Sequence, residues 1–141
     1  HFGEALLDPT TIYVDFIRQC IRRKIPIHYA INITGHGWRK LMRSPKPFVY
    51  VIERIPMPPA VFRFMQRHGG IPDREMYGTF NMGAGFAVIV PEKNTSDVLS
   101  AADMVGLEAS YAGHVERKGT RKEVRIVPKN ITFTGRSMRI R

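Results

Sequence analysis

The sequence predicts an α/β fold with α+β character, in which helices pack on a mixed β-sheet. Apolar residues recur at helical spacing from Ile12 to Ile21. They alternate with polar residues from Ile27 to Ile33, and an unbroken apolar run covers Phe86 to Val90. Helical and strand patterns that follow one another in this way are typical of a layered domain that contains both kinds of element.

The helices are predicted from their start and stop signals. The first should begin at Asp8-Pro9, because a capping carboxylate followed by proline is a common helix start. The basic run Arg22-Arg23-Lys24 suits the negative end of its dipole, and Pro26 should end it. Further segments are predicted over 38–43 as a short helix or turn, over 61–65 before Gly69-Gly70, over 73–80, and over 95–105 before Gly106.

Strands are predicted where apolar residues run or alternate over short distances. Besides Ile27 to Ile33, they are expected over 48–52, 86–90, 110–115 and 123–127, and from Asn130 onward. The run from Phe86 to Val90 lacks polar alternation, so it should be an interior strand covered on both faces. No repeat or low-complexity linker divides the chain, so residues 1–141 are expected to form one domain.

The bulk composition is that of an ordinary globular chain, with 43% apolar and 24% charged residues. No apolar run approaches the roughly 20 residues of a membrane span, and His1-Phe2-Gly3-Glu4 lacks the features of a signal peptide. Cys20 is the only cysteine and lies in the helical apolar pattern, which indicates a buried thiol rather than a disulfide or zinc site. We therefore expect a cytoplasmic protein without a membrane partner.

The net charge of +10 is the one unusual bulk property. Basic residues are densest from Arg117 to Arg141, where nine of them stand against the single acidic residue Glu123. A nucleic acid, a phosphorylated small substrate or an acidic partner domain could each explain this charge, and so could solubility alone. No recognisable nucleic-acid module accompanies it, so nucleic acid is the less favoured partner.

Two glycine-bearing loops adjoin predicted strands, where the sites of sheet-based domains often lie. The first, Thr34-Gly35-His36-Gly37, precedes Arg39, Lys40 and Arg43, so backbone N–H groups and cations could together bind a phosphate. The second, Asn81-Met82-Gly83-Ala84-Gly85, combines an amide with glycines that can turn N–H groups toward an anion. The alternative, that the glycines only serve tight turns and the cations are solvated, stays open.

The histidines do not indicate a metal site. They are scattered, and no pair has the spacing of metal ligands: His1, His28, His36, His68 and His114. His36 lies between two glycines and is the best candidate for an acid, a base or a phosphate contact. Neither a nucleophile elbow nor a serine triad is visible in the sequence.

Three stretches follow one another across most of the chain. They are Gly3-Glu4-Ala5-Leu6-Leu7-Asp8-Pro9-Thr10 with Ile12-Tyr13-Val14, then Ile33-Thr34-Gly35 with Gly37, and then Glu75-Met76-Tyr77 through Thr79-Phe80-Asn81-Met82-Gly83. Together they resemble the C-terminal domain of the aminoimidazole ribonucleotide synthetases (phosphoribosylformylglycinamidine cyclo-ligases). The chain departs from the commoner family pattern at Asn32, His36 and Gly78, where histidine, glycine and arginine are more frequent.

The resemblance implies the C-terminal domain fold of this superfamily, in an ATP-dependent enzyme of purine biosynthesis that closes an imidazole ring. The amide oxygen of formylglycinamidine ribonucleotide is phosphorylated, an amidine nitrogen attacks that carbon, and phosphate leaves. The resemblance also implies that ATP and Mg²⁺ bind mainly to an N-terminal domain, absent here, which supplies the main contact of a homodimer. No cofactor and no turnover are expected of this chain alone.

The resemblance further implies that this chain lines one wall of a cleft between the two domains. On this basis His36 is the expected catalytic residue, and the expected substrate- or phosphate-binding residues are Thr34, Gly35, Gly37, Arg43, Asn81 and Gly83. A basic nucleic-acid-binding or other non-catalytic interaction domain is the alternative. A hydrogenase-maturation or selenophosphate-type relative is disfavoured by the stretch from Glu75 to Gly83.

Overall fold

The computed structural model describes residues 2–5 and 7–137. His1, Leu6 and residues 138–141 lie outside this range, and with them the last part of the strand predicted from Asn130 onward. The described residues form five α-helices: α1 (Phe2–Ala5), α2 (Val14–Arg22), α3 (Ala60–Gly69), α4 (Asp73–Thr79) and α5 (Thr95–Asp103). A 3₁₀ segment, Gly37–Arg43, follows the first glycine loop, as expected for a short helix or turn.

Within these ranges, two sheets are formed by six strands: β1 (Tyr29–Asn32), β2 (Val49–Ile52), β3 (Phe86–Ile89), β4 (Gly113–Glu116), β5 (Glu123–Ile126) and β6 (Ile131–Thr134). β1 and β3 pair antiparallel in a sheet of two strands. The other sheet has the order β4-β2-β5-β6, in which β2 and β5 run parallel and the other neighbours antiparallel. The predicted fold class is confirmed, and the mixed sheet is the four-stranded one.

The first long helix starts later than predicted. It begins at Val14 and not at Asp8-Pro9, and no side chain caps its first turn. The Tyr13 ring stacks on Phe86 with 4.7 Å between the ring centroids, and its hydroxyl fills the space that a Cβ on Gly85 would take. The capping signal is overridden because this tertiary packing holds the preceding segment outside the helix.

β3 is covered on both faces, but it is not an interior strand as predicted. Its only partner among the described strands is β1, and its four side chains are all half-buried. Ala87 and Ile89 pack on one core cluster, whereas Phe86 and Val88 pack on the other. Alternate residues of a strand point to opposite faces, so a strand between two cores is apolar throughout.

The two core clusters divide the molecule. The larger lies between the four-stranded sheet, α4 and the 3₁₀ segment, and its fully buried members include Met42, Met76, Tyr77 and Val124. The smaller joins α2 to α5 and contains Cys20, which is 0% exposed, as predicted for a buried thiol. None of the helices in the described part of the chain is long and apolar enough to cross a membrane.

Candidate functional site

The two glycine loops predicted from the sequence lie side by side. We call Thr34–Gly37 loop A and Asn81–Gly85 loop B; loop A follows β1, and loop B precedes its antiparallel partner β3. The N–H of Ile33 donates to the oxygen of Gly85 at 2.9 Å, which extends the pairing of β1 and β3 to the base of both loops. Farther out, Trp38 Nε1 donates to the oxygen of Asn81 at 2.9 Å.

Gly37 anchors loop A to α4. Its φ is +53°, and its N–H donates to the oxygen of Thr34 at 2.6 Å, which closes a tight turn. A Cβ at this position would collide with the carbonyl oxygens of Tyr77 and Phe80, the latter at 2.9 Å. Only glycine combines this positive φ with this close approach, so the structure gives Gly37 a packing role.

Gly35 and His36 occupy the outer part of loop A. Gly35 is exposed, and a Cβ there would meet no atom within 4 Å. His36 is half-buried; its main-chain oxygen lies 3.4 Å from Arg39 Nε, while its imidazole has no hydrogen-bond partner within the described ranges. The outer part of loop A is therefore open to a ligand.

Loop B is shaped by its own side chain. Asn81 Oδ1 accepts a hydrogen bond from the N–H of Gly83 at 3.0 Å, and the main-chain oxygen of Asn81 accepts from Ala84 at 3.0 Å. Met82 and Gly83 have φ values of +51° and +97°, and a Cβ on Gly83 would lie 3.0 Å from the oxygen of Met57. The amide oxygen of Asn81 is thus used within the turn.

The cations that follow loop A have different environments. Arg39 Nε donates to the oxygen of Gly78 at 2.8 Å, which fastens the 3₁₀ segment to α4. Arg43 is exposed and forms no ion pair with any described residue. Lys40 is only 9% exposed, and its Nζ donates to Thr34 Oγ1 at 2.6 Å. Burial, and next the charge of Arg43, lower the pKa of Lys40.

Lys40 was not among the site residues predicted from the sequence. It belongs to the cationic group that drew attention to loop A, but spacing alone does not tell a buried lysine from a solvated one. The sequence does carry a signal, because no Asp or Glu occurs between Asp15 and Glu53. A lysine in such a stretch has no local carboxylate to pair with.

The loops form an open wall and not an enclosed site. A cavity of about 390 Å³ lies elsewhere, against α2, where Phe16, Val105 and Leu107 contribute to its lining. No group of three His, Cys, Asp or Glu residues suited to a metal ion occurs in residues 2–5 and 7–137. The structure thus brings together Thr34, Gly35, His36, Gly37, Asn81 and Gly83, with Arg43 at the end of the 3₁₀ segment.

The comparisons agree on one family. Residues 2–125 match the family model described as "AIR synthase related protein, C-terminal domain". Proteins called phosphoribosylformylglycinamidine cyclo-ligase are similar: that of Methanocaldococcus jannaschii is 42% identical over 80% of this chain and 33% of its own length. That of Methanococcus maripaludis is 35% identical over 91% of this chain and 38% of its own length. The protein of Prochlorococcus marinus is 38% identical over 80% of this chain and 34% of its own length.

The match to the family model covers both loops and all the site residues predicted from the sequence, since residues 2–125 include them. The chain spans about a third of the length of these curated relatives. A nucleic-acid-binding domain, the alternative left open by the basic composition, is not favoured by these matches.

Proposed function

We propose a function for this chain, which belongs to the AIR synthase related protein family and matches its C-terminal domain. The chain is the C-terminal third of a phosphoribosylformylglycinamidine cyclo-ligase, the activity named in its relatives. The reaction is the ATP-dependent closure of the imidazole ring of formylglycinamidine ribonucleotide to aminoimidazole ribonucleotide. It proceeds by phosphorylation of the amide oxygen, attack of the amidine nitrogen on that carbon, and loss of phosphate.

Hydrogen bonds connect loop B to the residues on either side of loop A, within the region that matches the family model, and this arrangement supports the proposed function. Ile33 and Trp38, the residues on either side of loop A, donate hydrogen bonds to Gly85 and Asn81 of loop B. Phosphoryl transfer depends mainly on positioning and on stabilising the charge of the transferred group. A wall whose loops are joined by hydrogen bonds, with an open outer turn and the exposed cation Arg43, meets both needs.

Within this wall the residues divide into two kinds. Gly37, Asn81 and Gly83 fix the shape of the loops through their turns and close contacts. Thr34, Gly35 and Arg43 are exposed and face a ligand more directly. His36, whose ring has no hydrogen-bond partner in the part of the chain that the structure describes, is the proposed acid, base or phosphate contact.

The missing half of the reaction belongs to a partner domain. The relatives extend well beyond the third of their length that this chain matches, and we assign the metal and most of the ATP site to an N-terminal domain in the remainder. That domain also forms the main contact of a homodimer, and the cleft lies between the two domains. As an enzyme of purine biosynthesis, the protein works in the cytoplasm.

A chimera tests the proposal. The part of the Methanocaldococcus jannaschii relative that matches this chain is replaced by the matching part of this chain, at 42% identity over 114 residues. The chimera should release ADP only when formylglycinamidine ribonucleotide is present, with formation of aminoimidazole ribonucleotide. The 141-residue chain alone should do neither. A folded, dimeric chimera without ring closure would refute the proposal, and robust turnover by the chain alone would refute the need for a partner domain.

A further inference from the structure

Lys40 is a buried cation without a counter-ion. Its side chain is 9% exposed, and Thr34 Oγ1, at 2.6 Å from Nζ, is its one hydrogen-bond partner in the described ranges. No described Asp or Glu lies within ion-pair distance of it. An ammonium group has three N–H donors, so two of them lack a protein acceptor. A buried, incompletely paired charge destabilises a folded chain, so such a group indicates an acceptor that arrives from outside.

Arg43 increases the positive charge at this position. Side chains three residues apart eclipse one another on a 3₁₀ helix, so Lys40 and Arg43 share a face of the segment Gly37–Arg43. Burial lowers the pKa of Lys40 first, and the charge of Arg43 lowers it further. Two like charges on one face repel each other unless an anion lies between them.

The position is accessible from the solvent. Thr34, Gly35 and Arg43 are all exposed, and the space beside Gly35 is open. The Thr34 hydroxyl accepts from Lys40, and its own O–H group is still able to donate one hydrogen bond to a ligand. An anion above loop A could therefore accept from the hydroxyl, the ammonium and the guanidinium together.

We propose that Lys40, Thr34 and Arg43 form a binding site for a phosphate group at loop A. The inference rests on the proposed function, since it places this site in the wall of the cleft. A phosphate dianion suits it because its oxygens accept several charge-assisted hydrogen bonds at once. The ribose phosphate of the substrate and the phosphates of ATP share this chemistry.

The test measures phosphate binding by the 141-residue chain. Inorganic phosphate is titrated calorimetrically at constant ionic strength, and thermal unfolding is followed at the same phosphate concentrations. Phosphate should raise the unfolding temperature of the wild-type chain, because a ligand that binds only the folded state stabilises it. Lys40→Met should weaken binding at least about tenfold, the loss expected for a charge-assisted hydrogen bond.

Lys93→Met is the matched control. Lys93 is exposed on the 3₁₀ segment before α5, and the substitution changes the net charge by the same amount. Its phosphate affinity should stay within about twofold of wild type if local contacts and not net charge govern binding. If Lys40→Met does not fold, Thr34→Val and Arg43→Gln take its place in the binding test. Each of them should weaken phosphate binding several-fold.

Two results would overturn the proposal. One is wild-type binding that is undetectable at about 10 mM phosphate, a concentration that reveals even weak sites. The other is equal affinity in the wild-type, Lys40→Met and Lys93→Met chains. Parallel titrations with ribose 5-phosphate and with ATP identify the source: tighter binding of the sugar phosphate assigns the site to the substrate, and tighter binding of ATP assigns it to the nucleotide.

Failure of this inference and failure of the proposed function are distinguishable. The phosphate site alone is refuted if the chain binds no phosphate and an active chimera keeps its turnover and KM after Lys40→Met. The cyclo-ligase function alone is refuted if the chain binds phosphate through Lys40 but the chimera is inactive.

Discussion

The indole Nε1 of Trp38, the residue that follows loop A, donates a hydrogen bond of 2.9 Å to the main-chain oxygen of Asn81 in loop B. Trp38 is 2% exposed, and its ring lies 5.9 Å from that of Tyr77, measured between centroids. The same oxygen of Asn81 also accepts from the N–H of Ala84 at 3.0 Å. The tryptophan therefore sets the separation of the loops, whereas the turn in loop B does not depend on it.

Trp38→Phe should lower the free energy of unfolding by about 1–3 kcal/mol, because it removes one hydrogen bond and part of a buried ring. The oxygen of Asn81 keeps its bond to Ala84, so no buried acceptor loses every partner. Trp38 is the single tryptophan, so urea unfolding is followed by far-UV circular dichroism and not by fluorescence. Tyr111→Phe, at a side chain that is 37% exposed, should change stability by less than about 0.5 kcal/mol. Equal losses in both variants would contradict the role of the indole.

The free energy of unfolding should fall strongly when one glycine of loop A is replaced by alanine and should change little when another is replaced. Gly37→Ala should destabilise the chain by about 2–5 kcal/mol, because it adds a strained positive φ to a collision with the carbonyl oxygens of Tyr77 and Phe80. Gly35→Ala meets no atom within 4 Å and has no positive φ, so its effect should stay below about 1 kcal/mol. Urea denaturation of the two variants is the measurement. Similar midpoints would show that the anchoring of loop A on α4 is wrong.

Local patterns predicted the elements of this fold well, and long-range packing explains where they failed. The 3.6-residue periodicity located α2 but not its first residue. The start of the helix depends on the stacking of Tyr13 on Phe86, and these two residues are far apart in sequence. The apolar run of β3 indicated burial on both faces, but it could not tell the middle of a sheet from a strand between two cores. Periodicity reports which faces are apolar and does not identify what covers them.

The candidate site shows the same division. Glycines beside strands, together with the family stretches, predicted both loops. Their juxtaposition depends on the bond from Ile33 to Gly85, which joins residues far apart in sequence. The burial of Lys40 also depends on the fold, because loop A places the Thr34 hydroxyl beside the ammonium group of Lys40. The sequence therefore named Lys40 only among the cations that follow loop A, and the exposed Arg43 was the one predicted to bind phosphate.

Lys40→Met should make the chain more stable in phosphate-free buffer, by about 1 kcal/mol at pH 7, because it replaces a buried unpaired cation with an apolar side chain of similar length. Burial, and next Arg43, hold the pKa of Lys40 below its usual 10.5. From the folded pKa up to about 10.5 the unfolded chain binds a proton that the folded chain has lost, so wild-type stability rises with pH in that window. The variant should lack this rise.

The wild-type and Lys40→Met chains are unfolded in urea from about pH 7 to about pH 10. The difference between their free energies of unfolding measures the contribution of Lys40, because the contributions of the other titrating groups cancel. Lys93→Met, at an exposed lysine, should follow the wild-type curve. A Lys40→Met chain that is less stable than wild type by more than about 1 kcal/mol would mean that the ammonium group supports the fold and is not held there for a ligand.

Asp73 should make the stability of the chain sensitive to acid. A 2.6 Å hydrogen bond from Gln66 Nε2, and next the Lys129 ammonium at 3.0 Å, hold the pKa of Asp73 below its usual 3.8. The contribution of this carboxylate is therefore present above the unfolded pKa and is lost as the pH falls through the folded pKa. Because the carboxylate is 38% exposed, its loss in Asp73→Asn should lower the free energy of unfolding at pH 7 by less than about 1 kcal/mol.

Urea unfolding at pH 7 and at a pH well below 3.8, the usual pKa of the carboxyl, compares Asp73→Asn with the wild-type chain. The two should differ at neutral pH and converge in acid, because the wild-type carboxyl is then protonated and also neutral. Asp15→Asn is the control, since Asp15 pairs with Arg18 at 3.2 Å with a side chain that is 75% exposed and should contribute little. A difference between Asp73→Asn and wild type that persists unchanged in acid would assign the effect to packing of the side chain and not to its charge.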